Sequence, residues 1–156
     1  MTIRLLSIGK TQNDYLKKGI QLYVDRLQHY ARIEYMELPD VSQNGLTPAQ
    51  LKQREAELIL KNLRSDHLLF LLDEFGKSYT SREFAAFFQK QMNAGTKALV
   101  LCIGGAYGFD ATVHQRAVGK ISMSQMTMPH ELIRLFLVEQ VYRAHTILKG
   151  EKYHHD

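Results

Sequence analysis

The sequence predicts an α/β fold, in which a mostly parallel sheet with flanking helices is formed by residues 1–156 as a single domain. Short apolar segments of strand length alternate along the chain with longer segments in which apolar residues recur every three or four positions. Two of the strand-like segments are apolar almost throughout, which is typical of strands covered on both faces. The 156 residues are enough for one hydrophobic core, and no linker or internal repeat divides them.

The first four elements alternate strand with helix. The apolar run at residues 3–8 predicts a strand, and the three- and four-residue spacing of apolar side chains predicts a helix over residues 13–29. Residues 32–38 alternate in the manner of a strand. A capping box at residues 47–50, with proline in the first helical position, predicts a helix that runs to about residue 63.

The middle of the chain supplies the two most apolar strands. Residues 67–73 (HLLFLLD) and residues 98–103 (ALVLCI) are nearly continuous apolar runs and predict buried strands. Between them, Thr80 and Glu83 form a second capping box and predict a helix that Gly95 ends. Strands that alternate with helices in this way favour a parallel sheet.

The last elements are a short helix capped by Asp110, a short strand at residues 121–126, and a helix that Pro129 opens and Gly150 ends. Four consecutive apolar residues at 135–138 point all the way round this last helix, whereas a surface helix has a single apolar stripe. Both sides of the helix therefore need cover. A central position within a monomer would provide it, but in so small a chain we favour an interface with a second subunit.

Composition excludes several protein classes. The chain is 45% hydrophobic and 23% charged, which excludes a disordered or collagen-like chain. The single cysteine, Cys102, cannot form an internal disulfide. Neither a membrane-spanning run nor a signal peptide is predicted, so we expect a cytoplasmic protein. The net charge of +4 is mild and scattered, and it permits a nucleic-acid partner without arguing for one.

Three consecutive strands end in segments unlike ordinary turns. These segments cover residues 72–77 (LDEFGK), 103–108 (IGGAYG) and 123–130 (MSQMTMPH). Ligands of open α/β sheets bind beyond the carboxyl ends of the strands, and glycines let a backbone approach a ligand closely. The glycines of any one loop are better explained by turn conformations. Three such loops at one sheet edge together favour a ligand cleft.

Familiar catalytic and metal sites do not fit the sequence. Leu71 stands where a P-loop needs its first glycine, and Arg134 stands where an HExxH zinc motif needs its second histidine. The chain has no GxGxxG motif after the first strand, no GxSxG elbow and no CxxC pair. His154 and His155 are a weak ligand pair without partners, so no metal is predicted.

Two arginines and the C-terminal tail are further candidates for a site. Arg134 and Arg143 are nine residues apart on the last helix and therefore point to opposite sides of it. One of them can serve a site while the other meets solvent or a partner subunit. The tail at residues 152–156 (KYHHD) follows the helix, and tails are usually frayed. Tyrosine and histidine are nevertheless groups that stack on bases and move protons.

The motifs, taken in order, resemble one known family. The succession IRLLSIGK, LLDEFGK, IGGAYGF, ISMSQMTMPH and LIRLFLVEQVYRAHTILKGEKYH resembles the RlmH family of bacterial large-subunit rRNA methyltransferases, in the SPOUT superfamily, across essentially the whole chain. The resemblance implies methylation of N3 of pseudouridine 1915 in 23S rRNA, on the assembled ribosome, with S-adenosylmethionine as methyl donor. It also implies a homodimer and a SPOUT-type α/β-knot with a C-terminal trefoil knot.

The resemblance further implies roles for particular residues. Those that would line the S-adenosylmethionine pocket are Leu72, Gly104, Gly105, Met123, Ser124, Gln125, Met126, Thr127 and Met128. Arg143, Tyr153 and His154 would meet the rRNA and complete the active site. The charge of Arg143 would favour loss of the N3 proton, which either His154 or water accepts. Because the methyl group of S-adenosylmethionine is already activated, neither a metal nor a covalent nucleophile is needed.

Two other functions stay open at this point. One is a related SPOUT enzyme that methylates another RNA base or a ribose, and mapping the methylated nucleotide distinguishes it. The other is a ribosome-binding protein without catalysis, for which failure to bind S-adenosylmethionine would be the sign.

Overall fold

The computed structural model describes residues 1–155 of the chain. Its strands are β1 (Thr2–Ile8), β2 (Arg32–Leu38), β3 (His67–Ser78), β4 (Ala98–Ile103) and β5 (Gly119–Ser122). Its helices are α1 (Asp14–Leu27), α2 (Pro48–Lys61), α3 (Ser81–Asn93), α4 (Ala111–Arg116) and α5 (His130–Leu148). Within the described residues, no helix combines the length and the apolar character needed to cross a membrane.

The strands form one parallel sheet in the order β2-β1-β4-β3-β5. Helices α1, α3 and α5 pack on one face of the sheet, and α2 and α4 pack on the other. The predicted α/β fold, with a parallel sheet and flanking helices, is thereby confirmed. The trefoil knot that the resemblance implies stays a prediction.

Two apolar cores hold these layers together. On one face, Leu101 of β4 lies in a core with Phe88 of α3 and Val138 of α5. On the other face, Cys102 of β4 lies in a core with Ile59 of α2. Adjacent residues of β4 thus serve opposite cores, and every residue of the strand is buried. This arrangement explains why the strand is apolar throughout its sequence.

Strands β3 and β5 differ from their predicted bounds. β3 is longer than predicted because residues 77–78 pair with β5 again after a bulge. β5 ends at Ser122, so the strand predicted to run to Met126 is wrong beyond that point. There the side-chain hydroxyl of Ser124 accepts a hydrogen bond from the amide of Met126 (2.9 Å). This local turn replaces pairing with a neighbouring strand.

Helix α5 packs against both α1 and α3, and its first two turns are tied to the end of β1. Glu131 accepts hydrogen bonds from two backbone amides just before α1 (2.9 and 3.0 Å). Arg134 is buried and donates to the carbonyl of Ile8 (2.7 Å) and to the hydroxyl of Thr11 (3.0 Å). Arg134 therefore fixes α5 to the sheet, whereas Arg143 is available to serve a site on the opposite side.

Candidate functional site

The loops that follow β3, β4 and β5 meet at the carboxyl edge of the sheet, where they form a cleft of about 650 Å³. The first turns of α5 complete its walls with His130 and Ile133. Small-molecule sites have volumes of about 300–1,000 Å³. The cleft thus has the size and the position of a ligand site in a parallel α/β sheet.

Most of the residues that the resemblance assigns to a cofactor pocket line this cleft. They are Leu72, Gly104, Gly105, Met123, Ser124, Met126, Thr127 and Met128. Gln125 is exposed and is not part of the lining. Two large apolar side chains in the lining, Phe75 and Met126, are 85% and 79% exposed. The mouth of the cleft is therefore apolar.

Glu55 of α2 lies directly behind the glycine loop that follows β4. It is buried, and its carboxylate accepts a hydrogen bond from the amide of Gly105. Burial raises the pKa of Glu55 above its ordinary value, and the bond from Gly105 offsets part of that rise. A Cβ atom at Gly105 would lie 2.7 Å from the carboxyl carbon of Glu55, so the buried side chain of Glu55 would have to move to admit one. Glu55 thereby holds the loop backbone from behind.

Gly105→Ala is expected to lower the free energy of unfolding by about 1–3 kcal/mol, because the added methyl group overpacks the contact with Glu55. Shortening the opposing side chain removes the clash. The double variant Gly105→Ala/Glu55→Ala should therefore cost less than the two single variants together. Urea unfolding measures all three free energies. Strictly additive costs would contradict a direct contact between the two residues.

A polar cluster forms part of the cleft wall. The Nζ atom of Lys120 lies 3.2 Å from the carboxylate of Asp73, which also accepts the amide of Phe75 (2.9 Å). Burial by itself raises the pKa of Asp73, but these donors outweigh burial and hold the pKa below its ordinary value. Asp73 is therefore anionic at neutral pH. His114 also lines the cleft, and its buried Nδ1 has no hydrogen-bond partner among residues 1–155.

Arg143, Tyr153 and His154 lie together, away from the cleft. The guanidinium carbon of Arg143 is 4.7 Å from the centre of the Tyr153 ring, and its Nη1 is 3.5 Å from Nδ1 of His154. Glu139 accepts hydrogen bonds from Nε of Arg143 (3.1 Å) and from the hydroxyl of Tyr153 (3.0 Å). The hydroxyl of Tyr153 also lies 3.2 Å from that of Tyr23 in α1. We call Glu139, Arg143, Tyr153 and His154 the tail cluster.

The tail that carries half of this cluster is held against the helices. Gly150, with a φ of 69°, ends α5 in a Schellman motif, in which the amides of Gly150 and Glu151 donate to carbonyls in the last turn (3.0 Å each). The hydroxyl of Tyr30 then donates to the carboxylate of Glu151 (2.6 Å). Glu151, Tyr153 and His154 are thus docked, in contrast to the usual frayed tail, whereas Lys152 and His155 are exposed. Asp156, which belongs to the predicted tail, lies outside the described residues.

Two members of the tail cluster have fixed protonation states. The hydrogen bond to Glu139 raises the pKa of Arg143, so its guanidinium stays charged. Burial, together with the bonds to Tyr23 and Glu139, raises the pKa of Tyr153 far above its ordinary value, so its hydroxyl stays protonated. Tyr153 can therefore donate a hydrogen bond or stack on a base, but it does not accept a proton. A fixed cation beside an aromatic ring and an imidazole suits a nucleobase ligand.

The cleft and the tail cluster are separated along α5. Ile133 lines the cleft, and Arg143 lies ten residues further along the same helix. At a rise of 1.5 Å per residue this spacing is about 15 Å, which is more than an arginine side chain spans. A single chain therefore does not bring its predicted cofactor residues and its predicted rRNA residues together.

Two residues with clear roles in this geometry, Glu55 and Glu139, are not predicted from the sequence. Glu139 had a usable signal, since a glutamate four residues before an arginine on a helix commonly forms an ion pair. Glu55 had none. A glutamate on an amphipathic helix is expected in solvent, and its partner Gly105 is far away along the chain.

Several known proteins similar to this chain carry the same name. Residues 1–154 match the family model described as a predicted SPOUT methyltransferase. A relative from Christiangramia forsetii, 48% identical over 99% of this chain and 99% of the relative, is named ribosomal RNA large subunit methyltransferase H. Relatives with the same name occur in Cytophaga hutchinsonii (48% identical, 99% of this chain, 100% of the relative) and in Geobacter sp. strain M21 (42%, 100% and 100%).

A solved structure shares the fold. It is that of a probable methylase family protein from Haemophilus influenzae Rd KW20, with a TM-score of 0.52 at 12% sequence identity. The match covers 99% of this chain and 70% of that chain. At this level of identity the likeness concerns the fold alone.

Proposed function

Because this chain belongs to the SPOUT methyltransferase family, we propose that it methylates N3 of pseudouridine 1915 of 23S rRNA, on the assembled ribosome. The protein is an S-adenosylmethionine-dependent rRNA methyltransferase. The observation that carries the proposal is the 48% identity, over 99% of the chain, to a relative named as a large-subunit rRNA methyltransferase. In this proposal the whole chain acts as one domain, and its ribosomal substrate locates it in the cytoplasm.

The cleft suits S-adenosylmethionine in size and in chemistry. Leu72, Gly104, Gly105, Met123, Ser124 and residues 126–128 would hold it. When bound, S-adenosylmethionine supplies a methyl group already activated on a sulfonium. The residues of the chain then have to position the base, exclude water and handle one proton.

The tail cluster suits the base that is methylated. N3 of pseudouridine carries a proton that must leave for the nitrogen to attack. The fixed charge of Arg143 stabilises the negative charge that develops there. Tyr153 offers its ring and its protonated hydroxyl to position the base. His154 is the member of the cluster able to accept the proton.

We propose a homodimer formed through the outer face of α5 and the adjoining face of α1. Within one subunit, the sheet, α1 and α3 already cover much of the apolar surface of α5. Leu132 nevertheless remains 42% exposed and Phe136 is only half-buried. On α1, Tyr15 and Leu22 are also exposed. These side chains are the apolar surface that a second copy would cover.

Such a dimer would join the cleft of one subunit to the tail cluster of the other. If the two α5 helices run antiparallel about a two-fold axis near Val138, each Arg143 comes opposite the partner's Ile133, at the end of α5 that lines the cleft. The separation of about 15 Å within one chain is then no obstacle to catalysis. Each active site would be composite.

Light scattering at micromolar concentration is expected to report a dimer of the 18.0 kDa chain. An interface of ordinary size buries about 1,200–2,000 Å² in total. Leu132→Asp would place a charge in that interface and should yield monomers. Val118→Asp is the matched control, because Val118 is also exposed but precedes β5 on another part of the surface. A monodisperse 18.0 kDa species for the parent protein would contradict the dimer.

S-adenosylmethionine is expected to bind with a micromolar Kd that a chelator does not change, since glycine backbone and ordinary side chains line the cleft. Isothermal titration calorimetry, with and without EDTA, measures this. Loss of binding in EDTA would show that a metal takes part.

The test of the proposed function is methyl transfer to purified ribosomes, followed by mass spectrometry of the rRNA. We expect one added methyl group, on N3 of pseudouridine 1915. A methyl group mapped to another nucleotide would identify a related enzyme with a different target. No transfer and no S-adenosylmethionine binding would identify a non-catalytic ribosome-binding protein.

A further inference from the structure

A second cleft, of about 510 Å³, lies at the opposite edge of the sheet, at the amino ends of β1, β2, β3 and β4. We call it the basal cleft. Its basic side chains come from separate parts of the chain, and they are Arg4, Arg32, Lys61, Arg64 and Lys97. The carboxylates in its lining are those of Glu34 and Asp66. Since the whole chain has a net charge of only +4, most of its positive excess is gathered in this cleft.

The ion pairs of the basal cleft leave several cations unpaired. Arg4 is held at the base by the carboxylate of Glu34 (2.8 Å) and by the carbonyl of Asn62 (2.8 Å). Lys97 lies 3.8 Å from Asp66, and both side chains are exposed, which makes this a weak pair. The cations of the cleft that make no ion pair within residues 1–155 are Arg32, Lys61 and Arg64.

We propose that the basal cleft binds the phosphate backbone of rRNA, as a contact with the ribosome separate from the active site. This inference rests on the proposed function, which supplies the RNA. Cations that stand on separate segments suit a row of phosphates along an RNA strand. A single free phosphate is a poorer occupant, because α2 ends at Lys61 in the lining of the cleft, and the negative end of the helix dipole disfavours a closely bound anion.

The position of the basal cleft determines what it can do for the reaction. β1 alone has seven residues between the two sheet edges, which is about 20 Å of strand. RNA bound in the basal cleft therefore does not touch a methyl group held in the cleft at the carboxyl edge of the same subunit. Its phosphates would orient the enzyme on the ribosome, so the contact should affect ribosome affinity and KM, and leave kcat unchanged.

The experiment compares two double variants, each of which loses one lysine and one arginine charge. Lys61→Gln/Arg64→Gln removes two cations from the basal cleft. Arg54→Gln/Lys90→Gln is the matched control, because both of its side chains are exposed and lie outside the cleft. The measurements are the Kd for purified ribosomes over a series of salt concentrations, and single-turnover methyl transfer at saturating ribosomes. S-adenosylmethionine affinity and dimer mass verify that each variant is folded.

We expect the basal-cleft variant to bind ribosomes more weakly by roughly five- to tenfold for each lost phosphate contact near 0.1 M salt. The slope of log K against log salt should become less steep by about 2, while the control keeps the parent slope. Methyl transfer at saturating ribosomes should equal that of the parent. A Kd and a salt slope equal to those of the control would overturn the inference and leave the proposed function standing.

A parent protein that does not bind ribosomes overturns the inference, whereas one that binds ribosomes without methylating them overturns the proposed function alone. Titration with inorganic phosphate tests whether the basal cleft binds a free anion. If the parent binds phosphate in the cleft and the basal-cleft variant loses that binding with no change in ribosome affinity, the cleft is a small-anion site and the inference is wrong.

Discussion

Deleting residues 151–156 is expected to reduce single-turnover methyl transfer to ribosomes by about 10²–10⁴-fold, the usual range for lost proton-transfer assistance. The deletion removes Tyr153 and His154, and with them the ring that lies 4.7 Å from the guanidinium carbon of Arg143. Folding, dimerisation and S-adenosylmethionine affinity should stay nearly intact, since residues 151–155 do not line the cleft.

Point variants distinguish the chemistry of the tail cluster from its packing. Arg143→Ala should cause a loss of similar size, because it removes the cation that favours deprotonation of N3. Arg143→Lys keeps a positive charge but loses the paired hydrogen bonds to Glu139. It should therefore lose less activity than Arg143→Ala. His155→Ala is the matched control, as His155 is exposed and outside the tail cluster. Tail-deleted protein with the activity of the parent would exclude a catalytic role for the tail.

Gly104→Val is expected to abolish S-adenosylmethionine binding. A Cβ atom at Gly104 would lie 3.1 Å from the ring of Phe109, which is already tight, and the two methyl groups of valine would add further atoms to the cleft wall. Calorimetry should detect no binding where the parent is saturated. Gly104→Ala should give an intermediate loss, and urea unfolding should show that both variants fold. Unchanged affinity in Gly104→Val would locate the cofactor elsewhere.

Mixing the tail-deleted chain with the Gly104→Val chain, both of which are inactive alone, tests whether the active site is composite. In a shared-site dimer, one site of the heterodimer combines the intact cleft of the tail-deleted chain with the intact tail cluster of the Gly104→Val chain. Random exchange makes half of the dimers mixed, so roughly a quarter of the parent activity should return. If mixing restores nothing although heterodimers form, each site is built from one chain.

The sequence by itself determined the elements of the fold, because their signals are local. Apolar periodicity identifies which segments are strands and which are helices, and side-chain caps mark the helix starts. The two predicted capping boxes, at residues 47–50 and 80–83, are both present. The strand predicted to continue to Met126 is wrong because an apolar and polar pattern alone does not show where a partner strand ends.

The sequence also located the loops of the cleft, since the carboxyl ends of parallel strands meet at one edge. It did not show that Arg143 lies about 15 Å along α5 from that cleft in the same chain. Nor did it show that the tail docks beside α1, where Tyr30 donates to Glu151. These relations depend on how helices pack, because side chains far apart in sequence meet only after the layers form.

The distribution of charge shows most plainly what the sequence determines and what only the tertiary structure decides. Along the chain the basic residues are scattered, and no run of them indicates an RNA-binding surface. In the tertiary structure, five of them, from four separate segments, line one cleft with only two acidic residues. The burial of Glu55 against Gly105 likewise left no trace in the sequence. Electrostatic and packing energies depend on distances in space, and only the folded chain decides those distances.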